Sequence, residues 1–160
     1  MAKFKLSDWA NIAEIAASIV VVLSLIYVGL EVNQNTVALQ QASYQSVQEG
    51  LQELDITLIT NPDLLRIVTT AKASPSELSP EEWLSFEHYA YPLIAIWEYL
   101  YLAKQEQAIS DFQWTAFDPY FQSFSCQPGF RRFWEENRVG FSAAFGKYFE
   151  SRLKSNCVMD

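Results

Sequence analysis

The sequence predicts an all-α protein in which a single N-terminal transmembrane helix precedes an aromatic-rich helical bundle. An apolar run near the start is about as long as a bilayer is thick, and the later apolar residues recur at helical spacing. No stretch shows the alternating pattern of a strand. We therefore expect a short flank at 1–11, a transmembrane helix at 12–30 and a helical bundle domain at 31–160.

The predicted transmembrane helix has 19 residues and one charge, Glu14, near its N-terminal end. A helix of that length extends about 28 Å, close to the roughly 30 Å of hydrocarbon in a bilayer. A cleaved signal peptide is one alternative, but no small-x-small cleavage site follows Leu30. A buried core helix is another, but such helices are usually apolar along one stripe only. The pattern favours a helix that spans the bilayer.

Small residues recur within and just before this helix at spacings of 3, 4 and 7, namely Ala10, Ala13, Ala17 and Ser24. Those spacings place them on one face, and small side chains let a second helix approach closely in lipid. The face predicts self-association or a helical partner. The alternative is that alanine and serine are simply tolerated in a membrane span.

Charged residues near the span predict an orientation. Lys3 and Lys5 precede it, and no lysine or arginine occurs between Glu31 and Leu65. The positive-inside rule keeps such an N-terminus in the cytoplasm and exports the domain. We expect a single-pass protein of the bacterial inner (cytoplasmic) membrane, with its C-terminal domain on the extracytoplasmic side.

The bundle begins without a clear break after the span. Residues 32–59 carry apolar residues at helical spacing, so one long helix is expected to end at Asn61-Pro62. A short helix then extends to about Lys72. Ser79, followed by proline and two glutamates, has the pattern of a capping box and predicts the start of the next helix.

The helix that follows Ser79 is apolar nearly all round between Tyr89 and Ala103. Those 15 residues include Pro92 and Glu98 and are too few for a second span, so we expect a central buried helix, kinked by the proline. Ser110 predicts the cap of another helix. A short helix follows Pro128, and the last one extends from Phe141 to about Leu153. Nine of the eleven phenylalanines lie beyond residue 111, so these helices are expected to supply much of the core.

Two stretches resemble an uncharacterised family of small bacterial membrane proteins. One is SLIYVGLEVNQNTVAL, residues 24–39, where the span continues into a QNT motif, and the other is PGFRRFWEENRVGFSAAF, residues 128–145. The resemblance implies an anchored helical domain and no known activity, cofactor or site. The family often has arginines where Asn33, Val37 and Gln40 stand here. Such arginines would favour a cytoplasmic domain, so this argument opposes the one from charge.

The charge balance and the rare residue types exclude several chemistries. A net charge of -8 argues against nucleic acid as a partner, since phosphate binding needs clustered basic residues. His88 is the only histidine, and neither Cys126 nor Cys157 belongs to a CxxC pair, so the cysteines are free thiols or one disulfide. A catalytic group of these three residues has no support from spacing, and a structural histidine is the preferred interpretation. We assign no catalytic, cofactor-binding or metal-binding residue.

The arginines Arg131, Arg132 and Arg138 alternate with acidic residues, which favours a salt-bridged surface over an anion site. The preferred hypothesis is a non-enzymatic, membrane-anchored protein that acts through protein contacts, as a homo-oligomer or an accessory subunit. The alternative is a sensor or ligand-binding module. In that case the aromatic residues around Trp97, Trp114 and Trp134 would line an apolar pocket.

Overall fold

The computed structural model describes residues 6–157, and these are all helices, turns and short connections. The six α-helices are α1 (Leu6–Thr60), α2 (Pro62–Ala73), α3 (Pro80–Gln105), α4 (Asp111–Ser125), α5 (Pro128–Asn137) and α6 (Ala143–Asn156). Short 3₁₀ turns occur at Pro75–Glu77 and Arg138–Gly140. No strand occurs in this part of the chain, so the all-α class is confirmed. Lys3 and Lys5, used above for orientation, lie outside the described residues.

Local capping explains where the helices begin. Ser79 and Ser110 each accept a hydrogen bond from the backbone three residues on, and Glu82 and Gln113 complete the two capping boxes. Both predicted starts are confirmed. The last helix starts later than predicted: the Ser142 hydroxyl accepts from the Phe145 backbone N–H, so α6 begins at Ala143 instead of Phe141.

The first helix runs without interruption for 55 residues and ends at the predicted Asn61-Pro62 break. Contacts divide the chain between Ala42 and Ser43, well beyond the predicted end of the span. The described residues of the first unit all belong to this one helix, which is long and apolar enough to cross a membrane. None of the residues in its most apolar stretch is buried.

The second unit, residues 43–160, has an aromatic core around α3. Trp97 is fully buried against the rings of Phe121, Phe145 and Phe149, which come from α4 and α6. Trp134 of α5 stacks on Phe149, with ring centroids 4.1 Å apart. The predicted aromatic-rich bundle is therefore confirmed.

Helix α3 is buried on one side only, which corrects the expectation of a helix buried all round. Its inner side includes Phe86, Leu93, Ile94, Trp97 and Leu100. Its other side exposes large apolar residues at helical spacing: Leu84, Tyr91, Tyr99 and Leu102. The reason is that α2, α4, α5 and α6 pack on it without enclosing it.

Candidate functional site

A buried carboxylate joins three helices at the centre of the second unit. Asp118 on α4 is only 5% exposed, and its Oδ1 accepts a hydrogen bond from Trp97 Nε1 at 3.2 Å and one from the Tyr148 hydroxyl. Its Oδ2 accepts from Gln122 Nε2 at 2.5 Å and from Arg152 Nη2 at 3.3 Å. Four donors therefore converge on one carboxylate, which satisfies a buried charge.

The surroundings of Tyr148 extend the alkaline range over which its hydroxyl stays protonated. Burial, together with the hydrogen bond to Asp118, raises the pKa of Tyr148 to about 12. Hydrogen bonding to Tyr148 raises the pKa of Arg152 as well. Within this cluster Tyr148 is thus a hydrogen-bond donor, Asp118 is the carboxylate that accepts, and Arg152 stays positively charged. Such an arrangement holds α3, α4 and α6 together, and it leaves the carboxylate enclosed by its own donors.

The two cysteines form a disulfide between the C-terminal ends of α4 and α6. Cys126 and Cys157 have Cα atoms 5.3 Å apart, within the ordinary range for a disulfide. Sequence spacing left bonded and free cysteines open, and the fold brings the pair together. A catalytic group of these cysteines with His88 is not assembled, because both sulfur atoms are in the disulfide and the pocket beside His88 is lined by other residues.

His88 is exposed, which corrects the preferred interpretation of a structural histidine. It lines a surface pocket of about 430 Å³ together with Leu84, Tyr91 and Phe133. Glu87, which is adjacent to His88 in sequence, lines the same pocket. Its Oε1 accepts a hydrogen bond from Asn137 Nδ2 at 2.8 Å. The pocket thus combines apolar walls with a histidine, a carboxylate and an amide.

A second, more apolar depression lies between α1 and α3, and we call it the α1–α3 groove. It has a volume of about 460 Å³. Its lining residues are Ser46, Val47 and Gly50 of α1 and Tyr91, Pro92, Ala95, Ile96 and Tyr99 of α3. Sequence reasoning missed it, although the unusual glycine in the middle of an amphipathic helix was a usable signal.

The tryptophans proposed as pocket walls pack against other rings. Trp97 and Trp134 are buried, and Trp114 contacts Tyr101 and Tyr148. None of the three lines either depression. These two depressions therefore give no support to an aromatic ligand pocket at these tryptophans, and each of the two is large enough for a small ligand.

The arginine cluster packs against an aromatic side chain. The Arg132 guanidinium lies 3.9 Å from the centroid of the Trp83 ring, and Arg132 also pairs with Glu136 at 2.9 Å. Arg138 pairs with Glu150. The ion pairs of Arg132 and Arg138 agree with the salt-bridged surface that the sequence favoured.

The small residues Ala10, Ala13, Ala17 and Ser24 are all exposed on α1, and the Ser24 hydroxyl donates to the Val20 carbonyl. Between residues 6 and 157, no group of three or more histidine, cysteine or acidic side chains is placed to hold a metal ion. Comparison of the chain with protein-family models, with curated proteins and with solved structures finds no match.

Proposed function

We propose that the chain is a single-pass membrane protein whose helical domain acts outside the cytoplasm through contacts with other proteins. The observation that carries the anchor is the exposed apolar circumference of α1. The five consecutive residues Ile19–Leu23 are all apolar and exposed. Each advances 100° around the helix, so together they cover its whole circumference. A protein partner covers one face of a helix, whereas lipid covers all of them.

The polar atoms of this segment fit hydrocarbon. The Ser18 and Ser24 hydroxyls donate to backbone carbonyls one turn earlier, at 2.8 Å in each case. Hydrocarbon offers no water to unpaired polar groups, so side chains that bond within their own helix are the ones tolerated there. A bacterial inner membrane is the proposed location, since the family resemblance points to small bacterial membrane proteins.

The disulfide supports an extracytoplasmic domain. Disulfides persist in oxidising compartments and are rare in the cytoplasm, where thiols are kept reduced. Lys3 and Lys5 before the span favour the same orientation. The family resemblance argued for the cytoplasm on the strength of arginines that this chain lacks at Asn33, Val37 and Gln40. The two observations from the chain itself outweigh it.

Protein contact is favoured over catalysis because the buried carboxylate and the two cysteines of the second unit are already bonded to other groups of the chain. Four donors already occupy the buried Asp118 carboxylate, and Cys126 and Cys157 are bonded to each other. The exposed apolar side of α3, with Tyr91 and Tyr99, is a surface that a protein partner would cover. Self-association through the small-residue face of α1 is one form of such contact, and an accessory subunit of a larger complex is the other.

The test of anchor and orientation is a reporter enzyme fused after Asp160 that is active only outside the cytoplasm. We expect activity from the wild-type fusion, and thiol labelling of Cys126 and Cys157 only after reduction. A matched control replaces Lys3 and Lys5 with alanine and introduces arginine at Asn33 and Val37. The control should lose reporter activity and gain free thiols. Reporter activity confined to the cytoplasm in the wild type would contradict the proposed orientation.

A second candidate is a ligand-binding module, and the pocket beside His88 favours it. A small apolar ligand with one polar group would fit its volume of about 430 Å³, with Glu87 or Asn137 as the polar contact. The Leu84→Trp variant should fill the mouth of the pocket. If a ligand found by thermal-shift screening binds Leu84→Trp as well as the wild type, this pocket is not its site.

A further inference from the structure

The lining of the α1–α3 groove includes three small residues. Ser46 and Gly50 lie one turn apart on α1, and Ala95 faces them from α3. A Cβ atom on Gly50 would lie 3.4 Å from Ile96 Cδ1, so even alanine would narrow the groove. Glycine weakens a helix interior, and α1 shows no positive φ that would require one here. The missing side chain therefore opens the groove and serves no backbone need.

The groove lies within a larger exposed apolar strip on α3. Leu84, Tyr91, Tyr99 and Leu102 recur at spacings of seven, eight and three, and each is more than a third exposed. These spacings place them on one side of the helix. Clusters of exposed apolar side chains on a protein surface mark interaction sites. Tyr91 and Tyr99 belong to both the strip and the groove, so exposed apolar side chains continue along α3 beyond the groove.

The α1 side of the groove is acidic. Glu49 and Glu53 are exposed, and each lies three residues after a lining residue, Ser46 or Gly50. Residues three apart on a helix are neighbours, so the two carboxylates border the groove one turn apart. Residues 32–65 contain no lysine or arginine. Within the described chain neither carboxylate forms an ion pair. Glu49 Oε1 accepts a hydrogen bond from Gln45 Nε2 at 2.9 Å, which leaves its negative charge unneutralised.

We propose that the α1–α3 groove binds a basic amphipathic helix of a partner protein, a step that rests on the proposed role in protein contacts. The apolar face of that helix would lie on Ala95 and Tyr99, with lysine or arginine opposite Glu49 and Glu53. The binding mode is a helix in a groove, because the groove walls are two helices whose backbone groups are already hydrogen-bonded and offer no strand edge. A second copy docking through the same surface would bring like charges together.

The test uses the full chain in phosphatidylcholine nanodiscs, with binding to empty discs subtracted. The probe is a fluorescent 18-residue helical peptide of leucine, alanine and lysine, compared with a peptide in which glutamate replaces every lysine. Two exposed charge pairs predict that the lysine peptide binds about tenfold more tightly. The E49K/E53K variant should reverse the preference. Because both positions are exposed, this variant tests the charge without disturbing the core.

A second experiment blocks the α1–α3 groove with a bulky side chain. Ala95→Trp should abolish binding of the lysine peptide by filling the groove, whereas Thr115→Trp, at an exposed position of α4, should leave it unchanged. Equal affinity for the two peptides, or an unchanged preference in E49K/E53K, would overturn the proposal. A dimer that Ala95→Trp converts to monomer in analytical ultracentrifugation would also overturn it, in favour of a second copy. The reporter fusion tests the anchor separately, so failure here leaves that result intact.

Discussion

The two units of the chain treat apolar side chains in opposite ways. Between Trp9 and Leu39, every large apolar side chain is exposed, and most are branched aliphatic residues. In residues 43–157 the buried side chains include Trp97, Phe121 and Phe149, which contact one another as rings. Aliphatic side chains need only an apolar medium, whereas rings gain from specific mutual geometry. The comparison teaches that similar apolarity suits two different roles: on the proposed anchor it matches lipid, and in the second unit it specifies a core.

Removing residues 1–30 gives the largest expected effect. The remaining chain should move from the membrane fraction to the soluble fraction and stay helical, because its aromatic core lies wholly beyond residue 43. Fractionation and circular dichroism measure both outcomes. Retention of the truncated chain in membranes after a high-salt wash would contradict the division of roles, and would indicate that residues 89–103 also enter lipid.

Loss of the disulfide tests how far the second unit relies on covalent closure. The C126S/C157S variant opens a loop with a sequence separation of 31. The chain-entropy model predicts a loss of about 3–4 kcal/mol in the free energy of unfolding. Urea unfolding in detergent, followed by tryptophan fluorescence, measures it, and the reduced wild type should match the variant. If the oxidised wild type and the variant unfold at the same urea concentration, the bond contributes nothing to stability.

Packing of the core can be tested with a pair of glycines. A Cβ on Gly129 would lie 2.4 Å from the backbone oxygen of Ala71, so Gly129→Ala should destabilise the second unit by about 1–3 kcal/mol. The matched control is Gly146→Ala, whose Cβ would make an ordinary 3.7 Å contact with the Trp134 ring. The control should be neutral or slightly stabilising. Similar unfolding midpoints for the two variants would show that the close approach of α5 to α2 is not needed.

Larger side chains on the exposed N-terminal part of α1 should weaken self-association of the chain without affecting its folding. Replacing Ala13 and Ala17 with leucine should weaken self-association several-fold, because bulky side chains separate helix backbones that small ones let touch. Cross-linking in bilayers measures the oligomer, with the double change Ile19→Leu and Val22→Leu, on the opposite side of the helix, as the control. An unchanged oligomer would mean that this face does not pack against a copy of itself.

The smallest effect is on pH dependence. The raised pKa of Tyr148 means that its contribution to stability is complete below pH 10 and is lost as the pH rises toward about 12. The wild type should therefore lose more unfolding free energy between pH 9 and pH 11.5 than Tyr148→Phe does. Tyr89 also has its pKa raised to about 12, mainly by burial, so Tyr89→Phe serves as the comparison. Identical pH profiles for wild type and Tyr148→Phe would refute the role of the hydroxyl at Asp118.

The sequence by itself determined the features that depend on neighbouring residues. The caps at Asn61, Ser79 and Ser110 involve atoms three residues apart, so their chemistry is complete in the local sequence. The apolar circumference around Ile19–Leu23 is equally local, since consecutive residues surround a helix whatever the rest of the chain does.

Only the tertiary structure decided the features that join distant residues. The Cys126–Cys157 bond, the four donors around Asp118 and the α1–α3 groove each depend on helices that meet in space. The exposure of His88 is also a tertiary feature. The other helices pack on the opposite side of α3 and leave His88 on the side that faces solvent. Helical periodicity predicts which residues share a face, but it does not say which face the neighbouring helices will cover.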